Sequence, residues 1–387
     1  MLSAFRRNSC ETTFLGSDVC TERPWTDPSI QMLRQLGLHD VRIFGPWGKR
    51  STWAKRQVTR VGRRVARLFG AVPDYTVDGA WKQWFAKELE RLQPNVILMN
   101  YSRWDWLLDH KRWQGAVRIV ETHDLMSVNA RMRKRLAPFF AGERVNPLEI
   151  DDQALQEDFF ADTGQPDEAE LDVYRHYDRT IAICRAEGEI LDRHIRGSKV
   201  VLVPITCAPV EGLDDYSGRA LFLASDNPFN LQGYSYFVRK VLPRIQERLH
   251  DFQLIVAGPI CSRVDGAKDV QLAGVVDDLA GQYGSACFAV SPVFGGTGQQ
   301  VKIVEAMAHG RAVVAMGNAA ARSPLRHGEN GLVARDAAEF AESVIRLWKD
   351  RELCRVLGKT ARETIRNECS SKKLEQCVGE MLKQLCA

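Results

Sequence analysis

The feature that most constrains this chain is the alternation of short β-branched runs with helical stretches along almost its whole length. In the first half, strand-like runs fall at 41–44, 96–101, 117–122, 180–184 and 200–205. Between them lie segments of helical period such as 79–92, where Trp81, Trp84, Phe85 and Leu89 share one face. The second half repeats the scheme, with strands at 220–224, 252–257, 270–272, 286–291, 312–315 and 331–334 and helices at 231–249, 299–309 and 337–349. Strands separated by helices are joined by crossovers and lie parallel, so the pattern predicts an α/β chain built of βαβ units.

A chain of 387 residues is long enough for two such domains at roughly 100–200 residues each. The pattern restarts after PITCAPVEGLDD (204–215), which places one domain at 1–208 and a second at 209–360. The segment 361–387 reads as helix with no following strand, and is expected to pack back across the molecule. Residues 1–27 show no apolar strand of the kind that usually opens an α/β domain. Either that strand is degenerate, or the given N-terminus lies downstream of the true start.

Composition sets the remaining bounds. With 45% hydrophobic and 26% charged residues, the chain is ordinary soluble protein rather than disordered, collagenous or coiled-coil. No uncharged apolar run approaches the roughly 18–20 residues of a membrane span, and MLSAFRRNSCETTF lacks the apolar core of a signal peptide. Ten scattered cysteines, with no C-x-x-C pair and no Cys/His grouping at zinc spacing, read as reduced thiols of a cytoplasmic protein.

The formal charge of +4 hides a polarity along the chain. Residues 1–140 carry 24 Lys and Arg against 13 Asp and Glu, net +11, whereas 141–205 carry 7 against 15, net −8. Within the basic region, KRSTWAKRQVTRVGRRVARLFGAV (49–72) holds eight basic residues and no acid. At 100° per residue its apolar positions fall on one side and Arg56, Arg60, Arg63 and Arg67 on the other. Such a helix suits an anionic membrane surface, although an ordinary helix packed on a sheet shows the same stripe. Arg131–Arg135 (RMRKR) would add to that field if they share its side. Nucleic acid is not expected as a partner, because no recognition motif accompanies the charge. The acidic stretch 141–172 reads as a surface excursion between elements.

The segment that carries chemistry is SPVFGGTGQQVKIVEAMAHGRAVVA (291–315). A strand ends at Ser291-Pro292, Gly295, Gly296 and Gly298 remove side chains from the loop, and a helix starts near Gln299. Free N–H groups and the positive end of a helix form an anion cradle. Lys302 sits in the first turn, and Glu305 lies three residues on, on the same face. A ligand with phosphates and hydroxyls, a nucleotide, would satisfy all of these.

This segment resembles the C-terminal nucleotide-sugar site of GT-B glycosyltransferases, in the large retaining group related to the bacterial GT4 enzymes. GVVDDL (274–279), Tyr283, Ser291-Pro292 and HGENGLVARDAAEFAESVIRLWKD (327–350) extend the likeness over about 130 residues. The resemblance implies two Rossmann-like domains facing a cleft, with the C-terminal helix crossing back. It implies that Glu305 bonds the donor's ribose, and that Gly296-Thr297-Gly298-Gln299 offers N–H groups to the diphosphate. Lys302 would neutralise that diphosphate, and Asn230, in ASDNPFNLQG (224–233), would lie near it. In the first half, VRIVETHD (117–124) is similar to the family strand that ends in a histidine, which makes His123 a candidate to face the transferred sugar. Glu121 and Asp124 read as capping or orienting groups.

Two positions depart from the family pattern. Thr297 stands where a second glutamate commonly touches the sugar, and the loop 224–233 has no basic residue. The resemblance implies transfer of a hexose from a nucleoside-diphosphate sugar to a lipid-linked or polysaccharide acceptor, with retention. No D-x-D motif is present and no metal or other cofactor is expected. A nucleotide-sugar-binding protein without turnover is the alternative reading, and a GT-B sugar epimerase a third.

Overall fold

A computed structural model describes residues 1–18, 25–45, 79–195, 199–212 and 215–386. The amphipathic candidate 49–72 lies outside the described residues. Two compact units result. The first comprises Met1–Glu121, His176–Arg179 and Glu375–Ala387, and the second Thr122–Arg175 and Thr180–Leu374.

In the first unit, strand β1 (Thr13–Ser17) pairs in parallel with β2 (Asp40–Phe44). β1 lies in the stretch where the sequence shows no strand. Only Phe14 and Leu15 of TFLGS are apolar and the strand is mostly half-buried, so it lacks the hydrophobic run by which buried parallel strands are recognised. The helix Gly79–Leu92 forms over the anticipated span and buries Trp81, Phe85 and Leu89. Trp81 stacks on Phe44 at 6.2 Å between ring centroids and meets Trp104 at 5.4 Å and Trp106 at 5.5 Å. Strands β3 (Val96–Asn100) and β4 (Val117–Glu121) run parallel. The next two strands along the chain are β5 (Arg179–Ala182), of which all but Arg179 belongs to the second unit, and β6 (Lys199–Leu202), which lies wholly in it.

The second unit contains a six-stranded sheet of β7 (Ala220–Leu223), β8 (Leu254–Ala257), β9 (Val270–Gly274), β10 (Ala289–Ser291), β11 (Val313–Met316) and β12 (Leu332–Ala334). Its order is β12-β11-β10-β7-β8-β9, with all pairs parallel. Every residue of β7, β10 and β11 is buried, as expected of central strands covered by helices on both faces. Numbered from β7, this is the 3-2-1-4-5-6 order of a doubly wound Rossmann sheet.

Two helical expectations change in detail. The stretch 231–249 is broken into Pro228–Tyr236, a π-helical turn Phe237–Val241 and Leu242–Gln246. Pro243 has no N–H to return to the turn before it, so the ladder widens there. The C-terminal stretch is two helices, Arg351–Glu368 and Ser371–Cys386. From Glu375 onward it belongs to the first unit, where Glu375 ion-pairs with Arg7 and its carbonyl accepts from Asn8 Nδ2 at 3.3 Å.

Candidate active site

In a doubly wound sheet, ligands bind outside the carboxyl ends of the strands at the point where strand order reverses. Here that point lies between β7 and β10. The loops leaving those strands are 224–227 and the glycine-rich 292–300. A cavity opens there, lined among others by Asn230, Tyr283, Ser291, Gln300 and Lys302. Topology therefore delivers two of the sequence candidates, Asn230 and Lys302, to one crevice.

The glycine loop is held from below by Arg322, a side chain the sequence did not single out. Its Nη1 donates to the carbonyl of Thr297 at 2.7 Å and of Gly298 at 3.3 Å, and its Nη2 to the carbonyl of Gly295 at 2.7 Å. Nε donates to Asn318 Oδ1 at 2.8 Å, and with its amide oriented to suit both partners Gln300 accepts from Arg322 as well. Burial lowers the Arg322 pKa to about 10, with nearby Cys184, Asp124 and Glu187 opposing that shift. In a trans peptide the C=O and the next N–H point in opposite directions. Carbonyls of Thr297 and Gly298 aimed at Arg322 thus turn the N–H groups of Gly298 and Gln299 away from it. The N–H of Gly296 is instead donated to Met132 Sδ at 3.3 Å. Gly296 has φ +98°, a region that favours glycine, and a Cβ there would press on Arg322.

The following helix runs from Val301 to Ala308, two residues shorter at its start than expected, because Gln299 and Gln300 still belong to the loop. Gln299 Oε1 accepts the Ile205 N–H at 2.6 Å, so its side chain secures the loop to the segment after β6. Lys302 Nζ lies 2.8 Å from Glu305 Oε2, and the Tyr283 hydroxyl donates to the same oxygen at 3.4 Å. Tyr283 stacks on His309 at 4.7 Å, and its own ionisation is driven well above the usual range by burial. Asn230, in the first turn of Pro228–Tyr236, donates its amide to the Ser225 carbonyl at 3.0 Å, while Asn227 caps that helix.

His123 follows β4 with φ +59°, an uncommon conformation for a non-glycine residue. Its carbonyl oxygen abuts Gly298 so closely that a Cβ on Gly298 would overlap it. Asp124 accepts from the Thr297 hydroxyl at 2.7 Å and from Asn129 Nδ2 at 3.1 Å. The structure thus brings His123 and Asp124 to the glycine loop, where Asp124 orients Thr297. Behind them Glu187 is buried, and burial raises its carboxyl to about 7, opposed by hydrogen bonds from Thr122 and the Ile183 N–H.

The acidic stretch 141–172 is more than a solvated excursion. Leu155, Phe159 and Phe160 are buried, and Phe160 meets Phe229 at 6.0 Å and Phe294 at 6.3 Å. Its charges are spent locally. Arg131 pairs with Asp167, Arg135 with Asp162, and Asp152 with Arg239 and Lys240. Arg131 and Arg135 are therefore already paired, rather than free to add to a basic surface field. Among the described residues no helix is long and apolar enough to cross a membrane.

The fold is of the GT-B type. Residues 218–350 match the model of the family "Glycosyl transferases group 1". Among solved structures it is similar to sucrose-phosphate synthase from Thermosynechococcus elongatus, with TM-score 0.60, 16% identity and coverage of 97% of this chain and 99% of that one. It is also similar to HepE of Anabaena in complex with UDP, with TM-score 0.59, 12% identity and coverage of 97% and 100%. A curated relative, "Uncharacterized 44.6 kDa protein in cps region" of Klebsiella pneumoniae, is 26% identical over 159 residues. That match spans 38% of this chain and 41% of the relative.

Proposed function

We propose that the chain transfers a hexose from a nucleoside-diphosphate sugar held in the crevice between β7 and β10. The observation that carries this reading is the glycine loop, pinned through its carbonyls by Arg322 so that the amides of Gly298 and Gln299 face away from it. As the glycosidic bond breaks, the leaving diphosphate gains negative charge. Donors fixed in advance stabilise that charge without reorganising during the reaction. In this reading the Gly298 and Gln299 amides, the start of the helix Val301–Ala308 and Lys302 hold the diphosphate. Glu305, steadied by Tyr283, takes the ribose hydroxyls, and Asn230 borders the phosphates. His123 orients the sugar, and transfer proceeds with retention.

The acceptor we infer is lipid-linked or a polysaccharide, bound by an acceptor-side domain over 1–208, with a donor domain over 209–360. The Klebsiella relative's place in a cps region supports this acceptor, and the HepE complexes with UDP and UDP-glucose support the nucleotide-sugar donor. A cytoplasmic enzyme docked by 49–72 on the inner face of the membrane would meet such an acceptor. The second reading, binding without turnover, is favoured by Thr297, whose hydroxyl is committed to Asp124 and leaves the loop without a carboxylate.

Calorimetry with UDP and GDP tests the site. Lys302→Ala and Glu305→Ala are each expected to weaken the better ligand about ten- to a hundredfold, the worth of one charge-assisted hydrogen bond. Wild-type affinity in both variants would reject the assignment. Release of free sugar or formation of product from the matching donor separates an enzyme from a binding protein.

A further inference from the structure

One face of the helix Met126–Phe140 is turned to the glycine loop, and both belong to the second unit. Asn129, Met132 and Arg133 fall at i, i+3 and i+4, the spacing of neighbours on a helix surface. Asn129 Nδ2 donates to the Thr297 hydroxyl at 3.4 Å, and Met132 Sδ accepts the Gly296 N–H at 3.3 Å. Arg133 completes the row. Its Nε donates to Asn129 Oδ1 at 2.7 Å, and its guanidinium lies 5.2 Å from the centroid of the Phe229 ring. Gly295 packs so closely on the same ring that a Cβ there would overlap it, and the residue after Phe229 is Asn230, which lines the crevice. One amide and two hydrogen bonds therefore separate the Arg133 guanidinium from the Thr297 hydroxyl.

A second observation concerns charge. In RMRKR, Arg131 pairs with Asp167 and Arg135 with Asp162, whereas Arg133 has no acidic partner among the described residues. The other charged side chains placed at the loop offset one another. Lys302 stands 2.8 Å from Glu305, and Arg322 lies near Asp124. A nucleoside diphosphate brings several negative charges, and the stretch 224–233 that borders the crevice has no basic residue of its own. Without Arg133, the loop amides would meet that ligand with no net positive charge from these side chains.

We infer that Arg133 is a donor-binding residue, whose guanidinium supplies the missing cation and holds the diphosphate of the nucleotide sugar together with the Gly298 and Gln299 amides. The inference rests on the reading of the crevice as a nucleotide-sugar site, and adds to it a side chain from outside the residues 218–350 that match the family model. A guanidinium suits the task, because its planar fork presents paired N–H donors to phosphate oxygens. With Nε on Asn129 and the plane resting near Phe229, the side chain is held in place while both Nη groups stay available to a ligand. Arg133 is exposed, so a ligand can reach it.

The test is calorimetry on the full-length protein with UDP and GDP, and with uridine and guanosine as parents that lack the phosphates. Arg133→Met is expected to weaken the better diphosphate about tenfold at 50 mM salt, less at 500 mM, and to leave its nucleoside within about twofold. Arg133→Gln can still donate to Asn129 but carries no charge, and should lose diphosphate affinity as the methionine variant does. Arg133→Lys keeps the charge and should stay within about threefold of wild type. Wild-type diphosphate affinity in Arg133→Met and Arg133→Gln, beside a weakened Lys302→Ala, would overturn the role of Arg133 and leave the reading of the crevice standing. Equal losses of diphosphate and nucleoside that Arg133→Lys does not restore would also overturn it, because they mark packing through Asn129 and Phe229. A wild-type protein that binds neither diphosphate would sink the reading of the crevice and this inference with it.

Discussion

Arg322→Met is the perturbation that most directly probes the site, because it nearly preserves side-chain volume while removing the guanidinium. Three buried loop carbonyls, those of Gly295, Thr297 and Gly298, lose their donor. At about 1–3 kcal/mol for each unsatisfied buried acceptor, the pinned loop is disfavoured by roughly 3–9 kcal/mol against conformers in which those carbonyls find other partners. The loop should relax, and the Gly298 and Gln299 amides should lose their fixed direction. Two charge-assisted amide–phosphate bonds at about 1.5–3 kcal/mol each correspond to roughly a hundredfold to ten-thousandfold in affinity. Calorimetry on a nucleoside diphosphate and its parent nucleoside separates this effect from general damage. Diphosphate affinity is expected to fall at least about a hundredfold and nucleoside affinity by less than about threefold. Arg322→Lys keeps a charge without the planar fork and should fall between, giving a readout if the methionine variant does not fold. A stably folded Arg322→Met protein with the wild-type ratio of diphosphate to nucleoside affinity would refute the role given to Arg322.

Two further perturbations probe the packing around the loop. Gly298→Ala places a methyl group against the His123 carbonyl, so the loop must shift, and diphosphate binding measured by calorimetry should weaken at least about tenfold with little change in melting temperature. Retained affinity would mean that the contact yields freely. Glu187 carries a carboxyl raised by burial from 4.5 to about 7, so between those values the folded chain holds a proton that the unfolded chain has released. Its contribution is full below about pH 4.5 and is lost as pH rises through 7, in total about 3 kcal/mol at 1.36 kcal/mol per unit. Glu187→Gln should therefore gain about that much on wild type between pH 5 and pH 8 in urea unfolding, and parallel pH profiles would sink the assignment.

How much of this was legible in the sequence depends on what each feature is made of. Buried parallel strands such as LIVA at β8 and VVAM at β11 declare themselves, because both faces must be apolar. The glycine loop was legible because three glycines before a helix are a backbone signature, and topology then carried Lys302 and Asn230 to it. Arg322 was not legible. It follows a run of three alanines, and its partners are carbonyls, which every residue possesses. The packing of 141–172 was hidden for a different reason. Its charge dominated the reading, while Leu155, Phe159 and Phe160 anchor it beside Phe229 and Phe294. β1 escaped because a strand with a single partner among the described residues and little burial needs no apolar run.

The balance of charge at the crevice ranks the contributions to diphosphate binding. Lys302 is not a free cation, since its ammonium is 2.8 Å from the Glu305 carboxylate, and it is 43% exposed, where solvent and salt screen it. A diphosphate must compete with Glu305 for Lys302, so the net gain from that lysine is smaller than an isolated ion pair suggests. The amides of Gly298 and Gln299 meet no such competition from Arg322, which holds the opposite ends of those peptide units. Arg322→Met should therefore cost more diphosphate affinity than Lys302→Ala. The loss in Lys302→Ala should also shrink between 50 mM and 500 mM salt, while that in Arg322→Met stays nearly constant. Titrations of both variants across that range decide the point. A larger, salt-independent loss in Lys302→Ala would make the lysine, and not the pinned backbone, the principal holder of the phosphates.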